Sequence, residues 1–245
     1  LIEGGVNPDL CTTVFDGTDI HQPLPDGRSI RKALGVDDDM LLFGSIGTLR
    51  PLKSHHHTLA ALRLFRQRFP AIRWKAVILG EGSERARLER LTEEYGLSSH
   101  VIFTGFQRNA MEYQAAFDIF ISASRSEGFS LVILEAMLLR TPVLSSITRG
   151  SQNLVHSGQT GISFPYGDID ALACQLAALC QDAALRRRLA ETAYRHVTAH
   201  FTMENYVQGV IRCLLQAMQP VQNAKPESDV TAMASSDKPV SGLDT

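Results

Sequence analysis

Residues 118–140, DIFISASRSEGFSLVILEAMLLR, decide how the rest of the chain is read. Residues 118–124 form a short apolar, β-branched run, the composition a strand covered on both faces requires. Residues 124–128 are small and polar and turn the chain. From about Phe129 the pattern changes: Leu131, Leu134 and Leu138, with Ile133 and Met137, recur at helical spacing. A helix that opens just after a glycine points unpaired N–H groups and the positive end of its dipole at whatever lies in front. That environment suits a phosphate.

Two carboxylates bracket the expected helix start. Glu127 stands in the loop and Glu135 about two turns into the helix. A rise of 1.5 Å per residue would separate them by on the order of 10 Å, the length of a diphosphate with a sugar at one end and a ribose at the other. Carboxylates are poor neighbours for phosphate but good acceptors from sugar hydroxyls. The expectation is one glutamate on each polyol, with helix amides and a cation on the phosphates. The plain alternative is a solvated loop residue and an ordinary helix-surface charge, and the surrounding pattern decides between them.

Outward from this unit, strands and helices alternate. A strand is expected at 40–47 (MLLFGSIG), then a helix over 54–69 with Leu59, Leu62, Phe65 and Phe69 on its apolar face and Ser54 as its cap. WKAVILG (74–80) is the next strand, followed by a helix to Tyr95 with Leu88, Leu91 and Tyr95 inward. VIFTG (101–105) precedes a short helix over 109–116. Beyond the central unit come strands at 142–147 and 161–164, with a short helix near 153–156 between them. Residues 168–218 read as helix in three pieces, broken near Asp182 and Phe201. At the other end, 12–15 is a short strand candidate and 29–34 one or two helical turns.

The fold class is therefore α/β: a doubly wound, Rossmann-like parallel sheet. Right-handed crossovers bring the loops at 47–53, 80–83, 105–108 and 124–130 to one edge, where ligands of such sheets bind. Lys53 sits at that edge as a point charge for a diphosphate, with Arg50 as the natural second cation. Gly80-Glu81-Gly82 follows a strand and opens a helix, so backbone there can approach a ligand closely. As a dinucleotide fingerprint it fails, because Arg85 occupies the third glycine position.

Composition narrows the classes further. The chain has 245 residues, 44% hydrophobic and 20% charged, with a net charge of −2, which gives no reason to expect nucleic acid as a partner. Its four cysteines contain no Cys-x2-Cys pair, so thiols in a reducing, cytoplasmic setting are expected, with peripheral contact at the inner membrane face compatible with that. No apolar run approaches membrane-spanning length. His55-His56-His57 does not read as a metal site, because consecutive helical residues point about 100° apart; a solvated helix start is expected. Asp37-Asp38-Asp39 reads as a charged turn, and His156 and His196 as surface or packing residues.

Together the segments VFDGTD (14–19), IGTLRPLK (46–53), VILGEGSE (77–84), VIFTGF (101–106), SRSEGFSLVILEAM (124–137), TPVLSS (141–146) and GQTGISFPYGD (158–168) resemble the C-terminal half of a retaining GT-B glycosyltransferase of family 4. The resemblance implies Glu127 on the donor sugar and Glu135 on the ribose. It places the diphosphate on Lys53 and the amides of Gly128, Phe129 and Ser130. The loop after Gly105, with Phe106, would lie along the base, and Gly80 and Gly82 would complete the edge. The implied substrate is a UDP- or GDP-sugar donor, with no obligatory metal and no other cofactor; the acceptor is a saccharide, lipid or small molecule. Two departures stand out: Thr48 occupies a position where the family commonly has arginine, with Arg50 as its expected replacement, and residues 149–153 replace a Gly-Gly-x-x-Glu segment.

The resemblance also implies that residues 1–11 are an interdomain linker remnant and 12–219 the nucleotide-sugar-binding domain. Residues 220–245, without aromatics or periodicity, read as a disordered tail. A missing N-terminal domain would carry the acceptor pocket. The rival reading is a non-catalytic or split domain that pairs with a separate chain. A nucleotide-linked enzyme of another kind is weaker, because the full glycine fingerprint and a Tyr-x3-Lys pair are absent.

Overall fold

The computed structural model describes residues 11–218. The linker expected at 1–11, Cys11 apart, and the tail expected at 220–245 lie outside these residues. Six strands, β1 (Leu41–Ile46), β2 (Trp74–Leu79), β3 (Val101–Gly105), β4 (Ile119–Ser122), β5 (Val143–Ser146) and β6 (Ile162–Phe164), form one all-parallel sheet in the order β3-β2-β1-β4-β5-β6. The four inner strands are buried almost continuously, as a sheet covered on both faces demands, while the edge strands β3 and β6 are half-buried.

Helices α2 (His55–Arg68), α3 (Arg85–Glu94) and α6 (Ile169–Gln181) share an apolar cluster with one face of the sheet, around Phe43, Phe65 and Trp74. The other face holds Leu42, Phe117 and Phe120 against α1 (Arg28–Ala33), α4 (Ala110–Ala115), α5 (Leu131–Leu138) and α7 (Ala183–His200). Gly44 is required in β1 because a Cβ there would lie 1.9 Å from the Phe117 ring. The order of strands reverses between β1 and β4, where Phe43 pairs with Ile119 and Gly44 with Phe120. This is the topological switch point of a doubly wound sheet, where a crevice opens beyond the strand ends.

The three C-terminal helices break where expected, at Asp182 and before α8 (Met203–Ala217). Each break has a side-chain cap: Asp182 Oδ1 accepts from the Leu185 amide and Thr202 Oγ1 from the Asn205 amide. Two local expectations fail. Residues 12–15 form no strand; the segment runs outside the sheet, with Val14 against Gly209 of α8 and the Phe15 ring on Phe201, and the isolated bridge that follows it joins Thr18 to Thr202. The short helix expected near 153–156 is a 3-10 turn three residues long, Ser151–Asn153, held by reciprocal bonds between Thr148 and Ser151.

Candidate functional site

The loops at the strand ends converge and are knit together by backbone. Gly47 N donates to Leu79 O, Leu49 N to Glu81 O, Gly80 N to Gly105 O and Arg125 N to Leu52 O, all at 2.8–3.0 Å. Gly80 and Gly82 make this possible: a Cβ would stand 1.9 Å from Gly47 O at the first and 2.4 Å from Leu49 O at the second. The close approach these glycines permit is to the loop after β1. Gly105 lies at the same edge with φ +72, and the Phe106 side chain after it is 71% exposed.

At the switch point Lys53 Nζ donates to Glu127 Oε1 at 2.6 Å. The lysine ends a 3-10 turn, Pro51–Lys53, after β1, and the glutamate follows β4, so a pair 74 residues apart bridges the crevice. Ser124 Oγ donates to the same Oε1 at 2.7 Å, which leaves Oε2 without a hydrogen bond among the described residues. Thr48 and Arg50, in the same loop as Lys53, are exposed, and the Arg50 guanidinium carries no hydrogen bond or ion pair among the described residues. Ser124 was legible only as part of a loop; its spacing of three before Glu127 is the signal that it can reach the carboxylate.

Helix α5 begins at Leu131, later than the sequence pattern implied, and Ser130 is its cap residue in an extended conformation. Its hydroxyl is buried, makes no capping bond and has no hydrogen-bond partner among the described residues. The Phe129 side chain turns away to pack on Phe15 and Phe201, at ring separations of 5.7 and 5.5 Å. A Cβ on Gly128 would meet nothing within 4 Å, so the loop in front of the helix is open on that side. Behind it, Gly150 N donates to Glu127 O at 3.0 Å, which seats the 149–153 segment on the acidic loop.

Because the helix starts at Leu131, Glu135 is little more than one turn in and Glu127 is outside it. The separation expected from helical rise alone therefore does not describe the pair. Glu135 lines a cavity of about 580 Å3 with Pro23, Leu24 and Pro25 on one side and Arg108, Asn109 and Glu112 on the other. Burial raises its pKa above the usual carboxylate value.

Two histidine and cap expectations are corrected. His55 is buried rather than solvated, with Nδ1 3.2 Å from Ser45 Oγ; burial, helped by the Lys53 charge, lowers its pKa to about 4. Ser54 does not cap α2 with its side chain; it takes a left-handed conformation, φ 50, and its hydroxyl bonds elsewhere. The charged-turn reading of 37–39 holds, with Arg73 paired to Asp37 and Asp39. His156 and His196 meet edge to face at 5.0 Å in an aromatic row with His200 and Phe201. No group of three His, Cys, Asp or Glu side chains suited to a metal ion occurs among the described residues. No described helix is long and apolar enough to cross a membrane.

A six-stranded doubly wound sheet with a lysine–carboxylate pair at its switch point defines an α/β domain of the Rossmann-like class. Residues 26–196 match the family Glycosyl transferases group 1, and the chain belongs to that family. It is 30% identical over 185 residues to the lipopolysaccharide core biosynthesis glycosyltransferase LpsE of Rhizobium meliloti, a match covering 75% of this chain and 52% of the relative. The fold superposes on Anabaena HepE in complex with UDP-glucose with a TM-score of 0.80 and 25% identity, covering 88% of this chain and 60% of that one. It also superposes on the C-terminal domain of the group 1 protein LpcC from Francisella tularensis, with a TM-score of 0.66 and 25% identity, covering 76% of this chain and all (100%) of that domain. The chain spans about half the length of the curated relatives it matches.

Proposed function

We propose that this chain is the donor-binding half of a retaining GT-B glycosyltransferase of family 4, moving a hexosyl group from a nucleotide diphosphate sugar to an acceptor. The observation that carries the reading is the Lys53–Glu127 pair across the switch-point crevice, 2.6 Å long, in front of a helix whose Ser130 hydroxyl is buried without a partner among the described residues. Lys53, Arg50, Thr48 and the amides of Gly128, Phe129 and Ser130 take the diphosphate. Glu127 accepts from the donor sugar through its Oε2. Glu135 accepts from the ribose in its cavity, and the loop from Gly105 to Phe106 borders the base; Gly80 and Gly82 hold the edge closed behind it. The UDP and UDP-glucose complexes of HepE support a uridine diphosphate donor, with GDP-sugars as the alternative.

Chemically, Lys53 and the helix mouth stabilise negative charge building on the leaving diphosphate, and Glu127 orients the sugar. No metal is needed for those roles. Groups acting on the acceptor belong to an N-terminal domain, and the working location is cytoplasmic. Calorimetry of the chain with UDP-, GDP- and ADP-sugars tests the reading: one of the first two binds, and Glu127→Ala weakens it. Binding of none, with Glu127→Ala indistinguishable from wild type, would remove the proposal.

A second reading, a split or non-catalytic domain paired with a separate chain, is favoured by helix α8. None of its residues is buried, and Met203, Val207, Ile211, Leu214 and Leu215 are all more than 40% exposed. Their spacing of three and four puts an apolar stripe on one face. Light scattering on the chain alone and with candidate partners tests this; a monomer at every concentration and in every mixture counts against it.

A further inference from the structure

Ser54 directly follows Lys53, is fully buried at 0% exposure and has a left-handed backbone with φ 50. A non-glycine residue persists in that conformation only where its surroundings hold it there. Its partners come from two directions. Ser54 Oγ donates to Pro51 O at 3.1 Å, which uses its single hydroxyl hydrogen. The phenol of Tyr166, 3.2 Å away, is then the donor to Ser54 Oγ. Tyr166 stands in the loop between β6 and α6, 112 residues along the chain, yet reaches the turn that ends in Lys53. Its ring packs on His57 at 5.1 Å while remaining 39% exposed, so burial alone does not account for its place.

We propose that Ser54 and Tyr166 form a clasp that positions Lys53. The left-handed bend at Ser54 closes the Pro51–Lys53 turn, whose amides at Lys53 and Ser54 bond back to Arg50 O and Pro51 O at 3.0 and 3.1 Å. That fixes the direction in which the lysine leaves the backbone, toward Glu127. A lysine whose stem starts in the right direction loses less rotamer freedom when it binds a phosphate. Without the phenol, the bend is free to relax to a right-handed conformation, and the ammonium swings away from the crevice. The purpose of the clasp rests on the donor-binding reading above; its existence does not.

Hydrogen exchange and UDP-glucose calorimetry on wild type, Tyr166→Phe, Ser54→Ala, Ser54→Gly and the Ser54→Gly/Tyr166→Phe double variant separate these claims. Tyr166→Phe keeps the ring on His57 and removes only the hydroxyl. It is expected to speed amide exchange over residues 50–57 and to weaken UDP-glucose binding roughly three- to tenfold, as the loss of one hydrogen bond implies. Ser54→Ala behaves similarly. In the Ser54→Gly background Tyr166→Phe becomes silent for affinity, because glycine takes the left-handed bend without help. Unchanged exchange in Tyr166→Phe overturns the clasp. Faster exchange with unchanged affinity overturns its link to Lys53. An equal loss of affinity in both backgrounds overturns positioning, because Tyr166 would then act on the ligand itself. If the wild-type chain binds a GDP-sugar in place of UDP-glucose, the affinity arm is read with that donor; binding of neither overturns the donor reading and with it the purpose of the clasp, while the exchange arm still decides whether the clasp exists.

Discussion

Removing either partner of the Lys53–Glu127 pair should cost stability in a way that removing both does not. The side chains are 23% and 11% exposed, between a surface pair and a buried one. Fully buried pairs cost about 3–5 kcal/mol to break one-sidedly and exposed ones under about 1 kcal/mol. Lys53→Met leaves the Glu127 carboxylate with the Ser124 hydroxyl as its remaining donor; a loss of about 2 kcal/mol follows. Glu127→Gln keeps an acceptor for Ser124 and leaves an ammonium that can swing into water, so about 1 kcal/mol is expected. The double variant should cost no more than the milder single one, giving a coupling of about 2 kcal/mol. Urea denaturation followed by circular dichroism measures it, and for a domain this size Lys53→Met should lower the melting temperature by about 4–8 °C. A coupling below about 0.3 kcal/mol would mean that the two groups do not meet across the crevice. The proposed site would lose its centre.

Three further outcomes are expected. Gly80→Ala should cost about 3 kcal/mol or more, since its Cβ would stand 1.9 Å from Gly47 O at a φ of +135, whereas Gly128→Ala, into open space, should stay within about 0.5 kcal/mol by the same measurement. Because the folded pKa of His55 lies near 4 against 6.5 for the free side chain, its contribution is present above pH 6.5 and lost as pH falls toward 4. His55→Gln should flatten the fall in unfolding free energy across that window, by up to about 3 kcal/mol, and a parallel profile would refute the burial argument. Glu135 shifts the other way: its folded pKa is raised, so its ionisation costs stability as pH climbs from the unfolded value through the folded one. Glu135→Gln should therefore raise the melting temperature at pH 7 to 8, with the gap closing near pH 4, while weakening nucleotide binding about tenfold.

The fold was legible because its signals are local. Alternating apolar strands and 3.6-residue stripes announce a βα series within windows of a dozen residues, and the breaks at Asp182 and Thr202 coincide with side chains that cap the next helix. Residues 12–15 misled for the reason that makes short strands ambiguous: a β-branched run pairs only if a sheet edge is offered to it. The histidine run misled because burial depends on which face of α2 meets the sheet, and His55 falls on the inner face beside Ser45.

Sequence alone determined that this is a doubly wound α/β domain and which side chains are candidates for its ligand edge: Lys53, Glu127, Glu135 and the helix mouth after Gly128. Tertiary structure decided which of them meet. Strand order brings β1 beside β4, so Lys53 lands on Glu127 while Glu135 lines a cavity with residues 23–25 and 108–112. A loop 112 residues away supplies the hydroxyl that reaches Ser54. The physical reason is range: propensity and periodicity act between neighbours along the chain, whereas a hydrogen bond across a crevice exists only after the sheet has chosen its order.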